Sequence, residues 1–460
     1  MKLYNTLRRG LEEFRSIEEG RVRLYTCGPT VYNYAHIGNF RCYMFEDLLR
    51  RALQVRGWTV EQVMNLTDVD DKTIRGAREA GRPLADYTQV YKDAFFEDLK
   101  VLNVEPAEHY PAATEHVPDM IALIERLVAR NLAYRSDDGS VYFSIARFPE
   151  YGKLAHLDLS GLRPGARVAQ DEYEKESVAD FALWKAWDEA DGDVAWDSPW
   201  GRGRPGWHIE CSAMSTRYLG ETFDIHTGGV DNIFPHHEDE IAQSEGASGK
   251  PLARFWLHCA HLVVEGRKMS KSLGNFYTLR DLLDKGYAGR EIRYVLIGTH
   301  YRQALNFTFA ALDGARAALK RLDDFAARLE EAGDTGAALP AWAAETEARF
   351  GAALDQDLNI SEALAALFDL VHDGNRAMDA GDAAGAPAVR ALLRRCDRVL
   401  GFLERGEERI DPEVTRLVEA RTEARAARDW VRADALRDEL AARGWEVRDG
   451  AEGPKLRKRG

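Results

Sequence analysis

Residues 21–66 constrain the fold of this chain more tightly than any other stretch. Val22 and Leu24 alternate with polar neighbours, which predicts a strand over 21–26. Phe40, Met44, Phe45, Leu48, Leu49, Ala52 and Leu53 then recur at helical spacing, and Gly57 stops that helix. A second strand is expected over 58–66. Strand, loop, helix and strand make a βαβ unit, whose first turn sets backbone N–H groups and a helix N-terminus where a phosphate can sit.

The next segment, Asn65-Leu66-Thr67-Asp68-Val69-Asp70-Asp71-Lys72, follows the second strand. Its carboxylates suit three roles: binding a cation, holding a substrate amine, or capping the next helix through Thr67 or Asp68. The C-terminal end of a parallel strand is where open α/β sheets bind ligands, which favours function here. Helices are expected over 84–103 and 112–132, and a hairpin over 134–145 around Asp137-Asp138-Gly139. Residues 150–206 show no clear period and read as an insertion rather than a core strand. Apolar, β-leaning runs at 222–227 and 255–264 suit buried parallel strands, with Gly228-Gly229 at a ligand-facing turn.

From about 305 to 403, Ala, Leu, Arg and Glu dominate in three or four amphipathic helices, broken at 333–336 and 381–387. One long helix is expected from 412 to about 443, then a short strand at 444–448. The 460 residues therefore divide into a sheet domain (1–304, insertion about 110–206), a helical bundle (305–404) and a small terminal module (405–460).

Charge and cysteine usage narrow the function. A net charge of −14 argues against indiscriminate nucleic-acid binding, yet allows a shaped RNA partner met by local basic patches such as Lys455, Arg457, Lys458 and Arg459. No apolar run is as long as a membrane span, and the Met1-Lys2-Leu3-Tyr4-Asn5 start is not a signal peptide, so a cytoplasmic protein is expected. Five cysteines without a Cys-x-x-Cys pair point to reduced thiols or a metal site. Cys27, Cys211, His236 and Glu240 offer S, S, N and O donors suited to zinc, with His236 and Glu240 one helical turn apart behind Pro235. Cys42, Cys259, His208, His226 and His237 are alternative donors, and any one of the thiols on its own suits a buried core position.

Within the first turn, His36-Ile37-Gly38-Asn39 resembles the HIGH signature of class I aminoacyl-tRNA synthetases, and Lys268-Met269-Ser270-Lys271-Ser272 is the KMSKS signature of that class. Segments 25–41, 65–72, 205–214, 223–240 and 268–276 together resemble the cysteinyl-tRNA synthetase family. The resemblance implies an α/β fold: a class I Rossmann-like catalytic domain with a parallel sheet, an α-helical bundle and a small C-terminal anticodon-binding module. It implies one Zn2+ per chain on Cys27, Cys211, His236 and Glu240, and an amino-acid site drawn from Cys27, Gly28, Thr67, Asp68, Trp207 and His226. It also implies a monomer that uses L-cysteine, ATP with Mg2+, and tRNA(Cys).

In such an enzyme the cysteine carboxylate attacks the ATP α-phosphate, and the adenylate then passes to the tRNA 3′ end. By resemblance His36, Lys268 and Lys271 stabilise the phosphates, with Gly38 and Asn39 completing the ATP site and residues 266–274 forming a mobile loop. Asn39 replaces the second signature histidine, so it donates a hydrogen bond without carrying charge. Zinc explains selection: packing separates near-isosteres by only about 10²-fold, whereas a soft thiolate prefers zinc over an alcohol. Arg425, Trp430, Asp434 and Arg437 on the last helix are the expected tRNA contacts. Two alternatives share this core. One is a mycothiol-pathway ligase joining cysteine to an amino-sugar; the other is a catalytically silent RNA-binding relative. The terminal module argues against the first, and the intact His36, Gly38, Lys268, Lys271 and metal donors against the second.

Overall fold

The βαβ unit forms as predicted and sits at one side of a four-stranded parallel sheet. Strand β1 (Arg21–Thr26) leads through the signature loop into helix α1 (Ile37–Val55), and β2 (Thr59–Met64) pairs with β1 from Arg21↔Thr59 to Thr26↔Met64. The turn at Gly57 has φ +94°, which explains why glycine ends the helix there. Helix α2 (Trp207–Leu219) precedes β3 (Phe223–Gly229); helix α3 (Glu238–Ser248) then leads to β4 (Ala253–Cys259). The sheet order is β4-β3-β1-β2, all parallel. Phe40, Met44, Phe45, Leu48, Leu49, Ala52 and Leu53 of α1 are all buried, and full burial of the larger ones is worth about 1.5–3 kcal/mol each.

In this computed structural model the described residues are 1–157, 167–168, 179–332, 338–403, 412–427, 429–450 and 453–458. The chain divides into two units, 1–406 and 407–460.

Several local expectations are corrected. The first twenty residues, left without an element by the sequence, carry an antiparallel hairpin, Lys2–Asn5 with Gly10–Glu13. Helix Asp71–Glu79 is capped by Asp70, whose side chain accepts from Thr73 N, rather than by Thr67 or Asp68. The helix expected over 112–132 is Val117–Ala129, with Pro118 in its first turn. The insertion builds a sheet of its own, in which Ala133–Arg135 pairs with Val141–Phe143 and Asp180–Ala186 pairs with Val141–Phe143 and Gly203–Pro205. Its residues 158–166 and 169–178 lie outside the described residues. The run 255–264 splits: β4 ends at Cys259, and Leu262–Val264 joins a different sheet with Leu305–Phe307. Gly228 and Gly229 belong to β3 itself, not to a following turn.

Four helices, Phe309–Glu331, Ala341–Asp355, Ile360–Asp379 and Ala386–Leu400, follow among the described residues and share a hydrophobic core with the sheet. The predicted break at 333–336 lies outside the described residues. Buried Arg293 joins the two regions: it donates to Leu400 O (2.6 Å) and Leu102 O (2.9 Å) and pairs with Asp47 of α1.

In the second unit, the single long helix expected over 412–443 is two, Pro412–Ala426 and Trp430–Ala442. Asp429 caps the second by accepting from Arg432 N, a local bond that competes with helix continuation. A hairpin of Trp445–Gly450 with Gly453–Lys458 completes the unit around Val414, Leu417, Leu440, Trp445 and Val447.

Candidate active site and metal centre

The functional residues gather at the C-terminal edge of the parallel sheet, where three strands deliver them. Cys27 and Gly28 leave β1, the segment from Asn65 leaves β2, and His226 lies near the end of β3. Gly28 must be glycine because a Cβ there would lie 1.8 Å from Asn65 O, and its N–H donates to Asn65 Oδ1 at 2.9 Å.

Cys27, Cys211, His236 and Glu240 bring one ligand atom each within 4.8 Å of one another. They come from β1, α2, the turn Ile233–His237 and the first turn of α3. Pro235 lies within this irregular turn, so α3 starts only at Glu238, yet His236 Nε2 still lies 3.1 Å from Glu240 Oε1. Tetrahedral zinc, with bonds of about 2.0–2.3 Å, draws its donors to within about 4 Å of each other, a contraction of under about 1 Å from the 4.8 Å limit of this set, and the donor types suit it. Burial lowers His236 to about 3 and leaves it neutral, as a ligand must be. The hydrogen bond with Cys211, burial and nearby Glu240 and Glu46 push the Cys27 thiol well up. A pocket that penalises anions in this way is one that a divalent cation would neutralise.

A second set, Cys27, His226, His237 and Glu240, is equally close. Its imidazoles have other engagements. His226 Nε2 is 2.9 Å from Glu240 Oε2, and its ring stacks on Trp256 at 4.5 Å. His237 bridges Cys27 Sγ (3.3 Å) and His258 Nε2 (2.9 Å), and His258 continues to Thr6 Oγ1 (2.8 Å). His208 Nδ1 meets His236 Nδ1 at 2.8 Å. This imidazole chain is invisible in the sequence because its members come from distant segments. The first set adds a second sulfur, which suits zinc better.

Trp207 stacks on the His236 ring, 4.4 Å between centroids and 23° between planes. It also lines a cavity of about 910 Å3 with Thr30, Asp70, Lys72 and Arg204. Thr67 donates to Glu210 Oε2 at 2.9 Å, and Glu210, fully buried, is raised well above the carboxylate range by that burial. Glu210 was missed by the sequence reading, although a carboxylate beside Cys211 on a buried helix face is a signal. Asp68 accepts from Lys92 Nζ (2.6 Å) and from Thr114 N (2.9 Å), so its carboxylate is already engaged.

The two signatures meet. His36 caps α1: its Nδ1 accepts from Asn39 N (3.2 Å), and Asn39 Oδ1 accepts from His36 N (3.1 Å). His36 therefore caps the helix through Nδ1, which leaves Nε2 as the atom that can face a ligand. Burial lowers the His36 pKa. The His36 ring lies 5.1 Å from Phe276, over which Lys271 Nζ sits at 5.4 Å. A Cβ on Gly38 would touch His36 at 3.0 Å and Met269 at 3.2 Å. Lys268 and Lys271 are exposed on the loop.

In the second unit Trp430 is 55% exposed, where a core residue would be hidden, and Arg425 stacks over it at 5.6 Å. Arg437 pairs with Asp434 at 3.4 Å on the same helix.

Residues 13–317 match the tRNA synthetase class I (C) catalytic domain, 349–404 the DALR domain, and 407–457 the cysteinyl-tRNA ligase anticodon-binding domain. A cysteine-tRNA ligase of Protochlamydia amoebophila is 51% identical over 100% of this chain and 98% of its own length. One from Chlamydia pneumoniae is 53% identical over 95% of this chain and 94% of its own. Among solved structures, methionyl-tRNA synthetase of Mycobacterium tuberculosis with methionyl-adenylate has a TM-score of 0.61 at 16% identity, covering 84% of this chain and 90% of that one. Likeness at that distance concerns the fold alone.

Proposed function

The chain belongs to the cysteine-tRNA ligase family of class I aminoacyl-tRNA synthetases, and from that premise we propose how its residues join L-cysteine to tRNA(Cys) at the expense of ATP. The observation that carries the reading is the mixed sulfur, nitrogen and oxygen quartet beside the joined signatures. Every donor comes from one polypeptide, so the quartet needs no residue of a second chain, in keeping with a monomer.

Cys27, Cys211, His236 and Glu240 would hold zinc, which when bound would supply a Lewis acid that prefers a thiolate to a hydroxyl. His226 orients Glu240, and His208 orients His236, as outer partners of metal ligands commonly do. Trp207, stacked on His236 and lining the cavity, covers the side-chain end of the cysteine.

The cysteine carboxylate oxygen bonds to the α-phosphorus of ATP, and the bond to the β-phosphate oxygen breaks, releasing pyrophosphate. His36 Nε2–H donates to an α-phosphate oxygen as charge builds there. Lys268 and Lys271 pair with the β- and γ-phosphates, which also carry Mg2+. Gly38 leaves room for the nucleotide. A terminal ribose hydroxyl of tRNA(Cys) then attacks the acyl carbon, and AMP leaves. Trp430 and Arg425 stack on anticodon bases, with Asp434 and Arg437 reading base edges. The anticodon-domain match over 407–457 leaves the amino-sugar ligase alternative without support.

Pyrophosphate exchange tests the site. Exchange should require cysteine, vanish on removal of zinc by a chelator, and return on adding zinc. Exchange with serine should stay below cysteine by more than the ~10²-fold that packing alone provides. Full exchange in zinc-free protein would overturn the metal assignment.

A further inference from the structure

A group of tyrosines beside the first signature has no part in the chemistry above. Tyr32 and Tyr34 lie on the loop between β1 and α1 and are 37% and 39% exposed, unlike the buried rings of the core. Each carries a cation over its ring. Lys72 Nζ lies 5.4 Å from the Tyr32 centroid, and the guanidinium of Arg280, anchored on Glu97 at 3.0 Å, lies 5.0 Å from that of Tyr34. Tyr91 meets the Tyr34 ring edge to face at 5.4 Å, and Tyr87 meets Tyr91 in the same way at 5.2 Å. The Tyr87 hydroxyl then donates to Tyr32 O at 2.8 Å, which closes the circuit. Val31 N donates to Thr67 O (3.0 Å) and Thr67 N to Pro29 O (3.1 Å), so the loop that carries both rings is stitched to the segment leaving β2. The rings are thus placed before any ligand arrives, which saves the cost of ordering them on binding.

The group adjoins the cavity that Trp207 lines. Thr30, two residues before Tyr32, lines it too, and so does Lys72. Arg75 and Arg78 continue that wall; they follow Lys72 at intervals of three on the helix Asp71–Glu79 and so share one face with it. In a chain of net charge −14 this is a local row of cations. Carboxylates at the same wall are engaged elsewhere: Asp70 caps the helix, Asp188 accepts from Ala190 N (2.6 Å), and Arg204 pairs with both Asp71 and Asp191. At about 910 Å3 the cavity is near the top of the ~300–1,000 Å3 range of small-molecule sites, more space than an amino acid fills. Exposed rings beside a row of cations suit an unpaired nucleic-acid strand, whose bases stack on rings while its phosphates meet the cations. A duplex keeps its base faces covered.

We propose that Tyr32 and Tyr34 are a stacking platform for the unpaired 3′ strand of the RNA substrate, and that Lys72, Arg75 and Arg78 draw its phosphates along the cavity wall. Both tyrosines are positioning residues. They order the strand so that its terminal ribose hydroxyl reaches the acyl carbon, and they take no part in forming the adenylate. That the strand is the 3′ end of tRNA(Cys) rests on the function proposed above; the preference for an unpaired strand does not.

The test uses the full, zinc-loaded chain with two tRNA(Cys) transcripts, one complete and one lacking its unpaired 3′ nucleotides. Tyr32→Ala and Tyr34→Ala should each weaken binding of the complete transcript about 10-fold, the worth of one stacked base, and leave binding of the shortened one unchanged. Charging kcat/KM for tRNA should fall by the same factor, while cysteine-dependent pyrophosphate exchange keeps its rate and its KM for ATP. Tyr32→Phe and Tyr34→Phe keep the ring and should bind like the wild type. Arg75→Gln, at an exposed position, should reduce the slope of log affinity against log salt by about 0.7, the share of one single-strand phosphate contact, and it decides the matter should an alanine variant fail to fold. Equal losses with both transcripts would set the rings against another part of the RNA and overturn the platform. A raised KM for ATP or cysteine would give the rings to the small substrates and overturn it as well, as would unchanged charging. Wild-type protein that prefers the complete transcript yet performs no exchange would count against the proposed function and leave the platform standing.

Discussion

Gly28→Ala places one methyl group against the joint on which the whole site depends. The new Cβ would stand 1.8 Å from Asn65 O and 3.0 Å from Met64 Cγ, whereas real Cβ atoms keep at least 3.0 Å. The nearest obstacle is backbone, so β1 and β2 must part by at least about 1.2 Å at their C-terminal ends. Cys27 and the bond from Gly28 N to Asn65 Oδ1 move with them. Misplacement of that order costs about 10²-fold in kcat/KM, or about 2.7 kcal/mol. Gly314→Ala is the matched control: nothing lies within 4 Å of its added Cβ, and Gly314 sits inside a helix. It should leave activity unchanged and add about 0.5–1 kcal/mol of stability. The assay is cysteine-dependent pyrophosphate exchange with thermal melting in parallel. Gly28→Ala retaining kcat/KM within ~3-fold of wild type, with unchanged Tm, would refute the argument from close approach.

Other perturbations separate the parts of the site. Burial raises Glu46 from 4.5 to about 8, so it is neutral in the folded chain where the unfolded chain is ionised; its stabilising effect is complete below pH 4.5 and is lost as pH rises to about 8. Glu46→Gln should flatten the decline of Tm over that window. Lys271→Ala should slow adenylate formation by about 10²-fold while leaving the KM for cysteine nearly unchanged, read by single-turnover kinetics. Cys211→Ser should lower zinc affinity by at least ~10-fold, read by metal titration. Trp430→Ala should raise the KM for tRNA by about 10-fold or more, the worth of one stacked base, without affecting pyrophosphate exchange.

The parts of this chain legible from sequence were those written in contiguous residues. Alternation and helical recurrence located β1, α1 and β2, because one face of each element is buried and the pattern repeats locally. The paired signatures, far apart in sequence, meet in the structure where Phe276 lies between His36 and Lys271. The sequence also held the donors of the quartet, but only as a set with rivals, since proximity through space decides between Cys211 and Cys42. Context governed the errors. Asp429 breaks the last helix by a side-chain bond that periodicity does not weigh. The run 255–264 is uniformly apolar, so nothing local marks its change of sheet after Cys259. The chain from Cys27 through His237 and His258 to Thr6 needed three dimensions to appear at all.

The central claim is that zinc-assisted cysteine activation and transfer to tRNA(Cys) occur on this one chain. Charging a tRNA(Cys) transcript with labelled cysteine and ATP, in the presence of excess serine, tests it most directly. The account predicts acid-precipitable cysteine on the tRNA and no incorporated serine. Cysteine-dependent pyrophosphate exchange without charged tRNA, or serine charged alongside cysteine, would contradict it.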